Sequence, residues 1–151
     1  MTFQNKGAPI EQVEVEIRIW RPDEPSKSVT GIYLPLGWQG RSPFAEVKAV
    51  GKVWPRLKKK DSAFTWLALQ HDINGELVWE VPFEGQAKSK TLSNGNVFEL
   101  DILLSWDKEG GKEKGEKYWS FPMKVEQDGI EIIGMDHVYL ADMSKVAYYE
   151  G

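Results

Sequence analysis

Short segments in which apolar and polar residues alternate, separated by turns rich in Gly, Asn and Asp, constrain this chain more than any other feature. Residues 11–20 show the pattern most clearly, because every second residue from Val13 to Ile19 is Val or Ile. A period of two residues is typical of a β-strand with one buried face. Similar segments recur with almost no helical periodicity between them. We therefore predict an all-β fold, a single antiparallel β-sandwich or closed β-barrel of about eight or nine short strands.

The alternation also predicts which side chains form the core. Residues 97–106 carry the longest apolar alternation and are predicted to form the central core strand. The dipeptides Asn74-Gly75 and Asp128-Gly129 are expected to form two-residue hairpin turns, which favour Asn, Asp and Gly. The predicted core residues lie on the apolar faces of these and neighbouring segments: Val15, Ile17, Phe98, Leu100, Ile102, Trp119 and Phe121.

The remaining segments complete this outline. Pro55 is expected to end a strand, and Pro82 to place its strand at a sheet edge or bulge, because proline lacks the N–H that a ladder needs. Residues 137–150 fit either a strand or a short helix. The whole chain, residues 1–151, is expected to form one domain, with residues 1–10 as a flexible arm. Further strands are predicted over residues 28–36, 44–54, 64–73, 76–83, 118–126 and 130–133.

Composition excludes several classes of function. The chain of 151 residues has a formal net charge of −4, so it does not attract nucleic acid by overall charge. It has no cysteine, which excludes disulfides, thiolate metal sites and a cysteine nucleophile. Its first residues lack a signal-peptide core, and no apolar run approaches the roughly 20 residues that span a bilayer. We therefore expect no membrane association and a cytoplasmic or virion location.

Candidate catalytic patterns are weak. Residues 110–115 have the glycine spacing of a phosphate-binding loop, but Glu116 and Lys117 replace the required Lys-Ser/Thr pair. The two histidines, His71 and His137, have no local partner spacing for zinc. Glu14 and Glu16 share a strand face, as glycosidase carboxylates would, but a solvated sheet face explains them equally. We expect no enzymatic activity, no cofactor and no metal.

A basic segment is the best positive signal for binding. Cationic groups beside an aromatic ring suit single-stranded nucleic acid, since charge binds phosphates and a ring stacks on a base. The alternative is a basic turn that keeps a hairpin soluble. Trp20 and Trp38 could extend the aromatic platform. The residues predicted for nucleic-acid binding are Lys48, Lys52, Trp54, Arg56, Lys58, Lys59 and Lys60.

Trp20, Leu36 and Trp38 form a second candidate surface, because large apolar residues in a loop often contact another subunit. The alternative is a loop folded back over the core. Taken together, these features favour a non-catalytic interaction or assembly protein, such as a small virion or accessory protein, that binds another protein or its own copies. A single-stranded nucleic-acid-binding barrel of the OB type is the second hypothesis. A calyx for a small apolar ligand is a third, which the many Trp and Phe residues disfavour because they would fill the core.

Overall fold

The computed structural model describes residues 1–27, 30, 32–39, 51–84, 90–93, 95–134 and 148–150. Within these ranges the chain forms β-strands and a short 3-10 helix at Pro25–Lys27, and no α-helix. The strands are β1 (Thr2–Gln4), β2 (Ile10–Trp20), β3 (Leu34–Pro35), β4 (Trp38–Gln39), β5 (Trp54–Leu57), β6 (Ser62–Thr65), β7 (Leu69–Ile73), β8 (Glu76–Val81), β9 (Lys90–Leu92), β10 (Asn96–Lys108), β11 (Lys114–Glu126), β12 (Gly129–Ile132) and β13 (Tyr148–Glu150).

These strands form three sheets. The large sheet has the order β12-β11-β10-β2-β3, and β5 also pairs with β2. The terminal sheet has the order β13-β1-β6-β4, and the small sheet has the order β7-β8-β9. The strands pair antiparallel except β1 and β13, which are parallel. The prediction of an all-β fold is confirmed in its sandwich-like form, since none of the described sheets closes into a barrel.

One hydrophobic core joins the three sheets. Buried side chains from β2 and β10 pack with Phe3 of the terminal sheet and Trp79 of the small sheet. The alternation predicted for β2 is confirmed, because Val13, Val15, Ile17 and Ile19 are all buried. Of the other predicted core residues, Phe98, Leu100 and Ile102 are buried, whereas Trp119 and Phe121 are partly buried against the core.

The long strand β2 contains a β-bulge near its start. Its pairing with β10 shifts between Ser105 and Asp107, and Gln12 has a φ of 51°. On the other side of β2, Pro55 lies opposite the bulge inside β5, an edge strand. Proline is tolerated there because an edge or bulge position need not donate to the ladder. The prediction that Pro55 ends a strand is therefore wrong.

Of the two predicted hairpin turns, one is confirmed and the other is displaced by one residue. Asn74 and Gly75 have φ values of 53° and 82° and join β7 to β8, so this turn is confirmed. The second turn is formed by Gln127 and Asp128, since Glu126 pairs with Gly129. The predicted turn was therefore placed one residue too late.

Several predicted boundaries are also corrected. The segment predicted as one strand over residues 64–73 is divided between β6 of the terminal sheet and β7 of the small sheet. Strand β8 ends before Pro82 and lies in the middle of its sheet, not at an edge. The strand predicted over 44–54 lies mostly outside the described residues, although its last residue, Trp54, begins β5.

The chain termini contribute to the terminal sheet. Residues 1–10 do not form a free arm, because β1 pairs on both sides and the side chains of Met1 and Phe3 are buried. Most of the ambiguous segment over 137–150 lies outside the described residues. Its last part, β13, is a strand that pairs with β1.

Candidate functional site

The tryptophans expected to form a binding platform lie inside the protein. Trp54 is only 5% exposed, and its indole N–H donates to the Arg56 carbonyl at 3.0 Å. Trp38 is fully buried, donates to the Val13 carbonyl at 2.8 Å and contacts Trp54 edge-on with ring centroids 6.0 Å apart. Neither ring can therefore stack on a nucleic-acid base in this structure. Trp20 lies seven residues beyond the partner of Trp54 on β2, about 23 Å away.

The basic residues of the same prediction are placed on the surface. Lys52 pairs with Glu14 at 3.6 Å, and Arg56 pairs with Glu11 and Glu109, both at 3.2 Å. Lys58, Lys59 and Lys60 are exposed in the turn between β5 and β6, and Lys48 lies outside the described residues. Nucleic-acid binding by these lysines stays a prediction, but Trp38 and Trp54 do not supply the exposed aromatic platform that was expected beside them.

The second predicted surface is also mostly internal. Leu36 and Trp38 are fully buried, but they do not belong to a loop, because Trp38 begins β4 and Leu36 forms an isolated β-bridge with Phe83. Trp20 alone among the three is partly exposed. It lies on the face of the large sheet that points away from the core, which we call the outer face.

The outer face follows from the alternation that builds the core. On β2 the residues that alternate with the buried Val and Ile side chains point outward, and on β10 Glu99, Asp101 and Leu103 do so. Pairing then brings outward residues of three strands side by side: Asp101 lies opposite Arg18 on β2 and opposite Ser120 on β11. Leu103 lies opposite Glu16 and Tyr118 in the same way.

Asp101 organises this face. It is 6% exposed although it points away from the core. Its carboxylate accepts hydrogen bonds from Nε of Arg18 at 3.0 Å and from the indole N–H of Trp20 at 2.9 Å. The Ser120 hydroxyl lies 2.6 Å from Oδ1 of Asp101 and 3.2 Å from Glu99, and its single proton fits the shorter contact. A buried carboxylate is tolerated here because hydrogen bonds and a guanidinium compensate its charge.

Aromatic rings hold the other side of the Arg18 guanidinium. Its central carbon lies 5.4 Å from the centroid of Trp20 and 5.3 Å from that of Tyr33, distances at which cation–π attraction operates. Burial raises the pKa of Tyr33, and the nearby Asp101 carboxylate adds to the increase. The Arg18 side chain nevertheless remains 36% exposed. We call Arg18, Trp20, Tyr33, Asp101 and Ser120 the Asp101 cluster.

Tyr118 extends the cluster toward solvent. It is 59% exposed, and its hydroxyl donates to Glu116 at 3.0 Å. This hydrogen bond raises the pKa of Tyr118, and the negative charges of Glu116 and Glu16 contribute further. Glu16 and Glu116 therefore place negative charge beside Tyr118, and Glu99 places it beside Trp20. The outer face therefore combines exposed aromatic surface, a fixed guanidinium and an acidic border.

Of this cluster, only Trp20 was predicted from the sequence, as a partner-contact residue. The outward direction of Arg18, Trp20 and Asp101 was readable from alternation. Their contact was not, because β2 and β10 are far apart in sequence and only the register between them places Asp101 opposite Arg18. A usable signal was the apolar Trp20 on an otherwise polar face.

In the described part of the chain, no group of three or more His, Asp or Glu side chains is arranged to hold a metal ion. No helix among the described residues is long and apolar enough to cross a bilayer.

Comparison with known proteins finds no family model, no curated protein and no solved structure that matches this chain.

Proposed function

We propose that this protein is a non-catalytic interaction protein that binds a partner protein through the outer face of the large sheet. One observation carries the proposal: a partly exposed Arg18 is fixed between Trp20 and Tyr33 by a buried carboxylate. Trp, Tyr and Arg are the residue types that most often dominate binding energy at protein interfaces. Because Asp101 already holds the guanidinium, little side-chain entropy is lost on binding.

The charges around the Asp101 cluster indicate what kind of partner fits. Glu16, Glu99 and Glu116 form an acidic border, whereas the charge of Arg18 is balanced by Asp101. An apolar surface flanked by Lys or Arg would complement this face. A second copy of the same face would bring like charges together, so a different protein is favoured over self-association. Phosphate groups would be repelled for the same reason, which separates this face from the hypothesis of nucleic-acid binding.

Selection of random 15-residue peptides on the folded protein tests this proposal. Peptides that bind are expected to combine apolar residues with Lys or Arg. Tyr118→Ala should weaken them about tenfold or more, the effect of removing an aromatic interface anchor. Tyr118 suits the test because its exposed side chain contributes little to the core. Lys124→Ala, on an outward position of β11 beyond the cluster, is the matched control and should leave affinity unchanged.

Two results would contradict the proposal. Selected peptides that bind Tyr118→Ala and an Arg18→Ala variant as tightly as the original protein would place the binding surface elsewhere. Oligo-dT binding that is lost in a Lys58, Lys59 and Lys60 alanine variant, without any peptide binding, would favour the nucleic-acid hypothesis instead.

A further inference from the structure

A second candidate site lies near Ile10, the first residue of β2, whereas Trp20 is the last residue of this strand. A cleft of about 470 Å³ opens between the start of β2, the end of β10, β5 and the segment that joins β1 to β2. Small-molecule sites typically measure about 300–1,000 Å³, so the cleft is large enough for a ligand. The residues that form its walls include Asn5, Ala8, Ile10, Leu57, Leu104 and Trp106.

The inner wall of the cleft is apolar and held in place. Ile10 and Leu57 face each other across the β2–β5 ladder, and Leu104 and Trp106 come from the adjacent β10. The Trp106 indole packs directly on Gly115 of β11, so closely that a Cβ at this position would collide with the indole nitrogen. Glycine at position 115 therefore leaves room for the Trp106 indole at the wall of the cleft.

The outer wall is fixed by hydrogen bonds. The Asn5 side-chain amide donates to the carbonyls of Ala8 at 2.9 Å and Leu57 at 3.0 Å, and its oxygen accepts from the N–H of Gly7 at 3.0 Å. The Lys60 N–H also donates to the Asn5 carbonyl at 2.6 Å. These bonds tie residues 5–9 to the turn after β5, so the cleft exists before any ligand binds.

Charge is distributed unevenly around the opening. At one side, Lys108 pairs with Glu113 at 3.1 Å, and Arg56 pairs with both Glu109 and Glu11 at 3.2 Å, which leaves a slight excess of negative charge. At the other side, Gln4 also lines a recess that it shares with Lys6, Lys59 and Lys60. An apolar cleft thus adjoins a group of ammonium charges, although the chain as a whole is acidic.

We propose that this cleft binds an unbranched aliphatic carboxylate, with its hydrocarbon chain against Ile10, Leu57 and Trp106 and its carboxylate near Lys59 and Lys60. The apolar walls supply affinity through burial of methylene groups. The lysines select the charge of the head group by attraction. The proposal also gives a role to the lysines of the β5–β6 turn that needs no exposed tryptophan.

Isothermal titration calorimetry with octanoate, decanoate and dodecanoate, all below their micelle concentrations, tests this inference. Binding of one molecule per chain is expected, with affinity rising about fourfold per added methylene. Decylammonium should bind at least tenfold more weakly than decanoate. The Lys59→Ala and Lys60→Ala double variant should weaken decanoate about tenfold, whereas the control pair Lys112→Ala and Lys124→Ala removes the same charge elsewhere and should not.

A cleft-filling variant separates the cleft from nonspecific binding. Ala8 lines the cleft and is exposed, so Ala8→Trp can place an indole in the opening without overfilling the core, and it should abolish decanoate binding. If that variant does not fold, as judged by circular dichroism, the lysine variants decide the question. The inference is overturned if decanoate binds only above its micelle concentration, if decylammonium binds as tightly, or if neither the lysines nor Ala8 affects binding.

Discussion

The Asp101 carboxylate should stabilise the fold as well as organise the outer face. The change in the free energy of unfolding when Asp101 is replaced measures this stabilisation. Asp101→Ala removes the acceptor for Arg18, Trp20 and Ser120 at once. Breaking a buried ion pair costs about 3–5 kcal/mol when both charges are buried. Because Arg18 keeps 36% of its side-chain surface in water, we expect the lower end, about 3 kcal/mol.

The isosteric change isolates the contribution of charge. Asp101→Asn keeps an oxygen that can accept from Trp20 and an amide that can donate to Ser120, and it loses the negative charge beside Arg18. We expect a cost of about 1.5 kcal/mol, the lower value for a hydrogen bond to a charged group. Urea unfolding followed by circular dichroism measures both variants. Glu99→Ala, two residues away on the same face of β10, is the matched control, with an expected change within about 0.5 kcal/mol.

A double-mutant cycle tests the Trp20 contact directly. Trp20→Phe removes the indole N–H and retains an aromatic ring. Combined with Asp101→Ala, it should show a coupling energy of about 1 kcal/mol, since each single change removes the hydrogen bond that the two residues share. A cost of Asp101→Ala below about 1 kcal/mol, or no larger than that of Glu99→Ala, would contradict this role of the Asp101 carboxylate. Asp101 would then be an ordinary surface residue.

Two further predictions concern the core and the terminal sheet. Leu100→Ala should cost about 2–5 kcal/mol in urea unfolding, because Leu100 is fully buried in the central strand, and a loss below about 0.5 kcal/mol would contradict its place in the core. Burial lowers the pKa of the Met1 amine from 8.0 to about 5, so between these pH values the unfolded chain binds a proton that the folded chain does not. Stability should therefore increase as pH rises from about 5 to 8. Urea midpoints measured across this range, with the free amine intact, would contradict the assignment if they fell as pH rose.

The sequence was sufficient to predict structure where neighbouring residues determine it. The alternation around Val15 and Ile17 reports the buried face directly, because a strand buried on one side needs a period of two. The Asn74-Gly75 turn was equally local, since its backbone conformation favours these residue types. Both features depend on few residues and hold irrespective of where the strands lie in the fold.

The candidate site depended on contacts that are distant in sequence. Trp54 was expected on the surface because lysines surround it, but the bulge near Gln12 and the pairing of β5 with β2 turn its ring into the core. Alternation places Asp101 at an ordinary outward position, and only the register of β10 against β2 makes it the centre of a cluster. A residue and its sequence neighbours indicate whether a side chain lies in a strand and on which face. The side chains that it contacts on other strands depend on strand order and register.

The pairing of β1 with β13 has a consequence for the order in which the protein folds. The hairpin of β10 and β11 is local, with its ladder closing at the pair Asp107 and Lys114, and such hairpins form within microseconds. Thr2, by contrast, must find Tyr148 at the other end of the sequence. By loop-closure entropy this step costs on the order of 3 kcal/mol more than closing a hairpin. During synthesis at about 5–20 residues per second, the hairpin can form before β13 has been made, so β1, which is synthesised before the hairpin, is completely paired only after it.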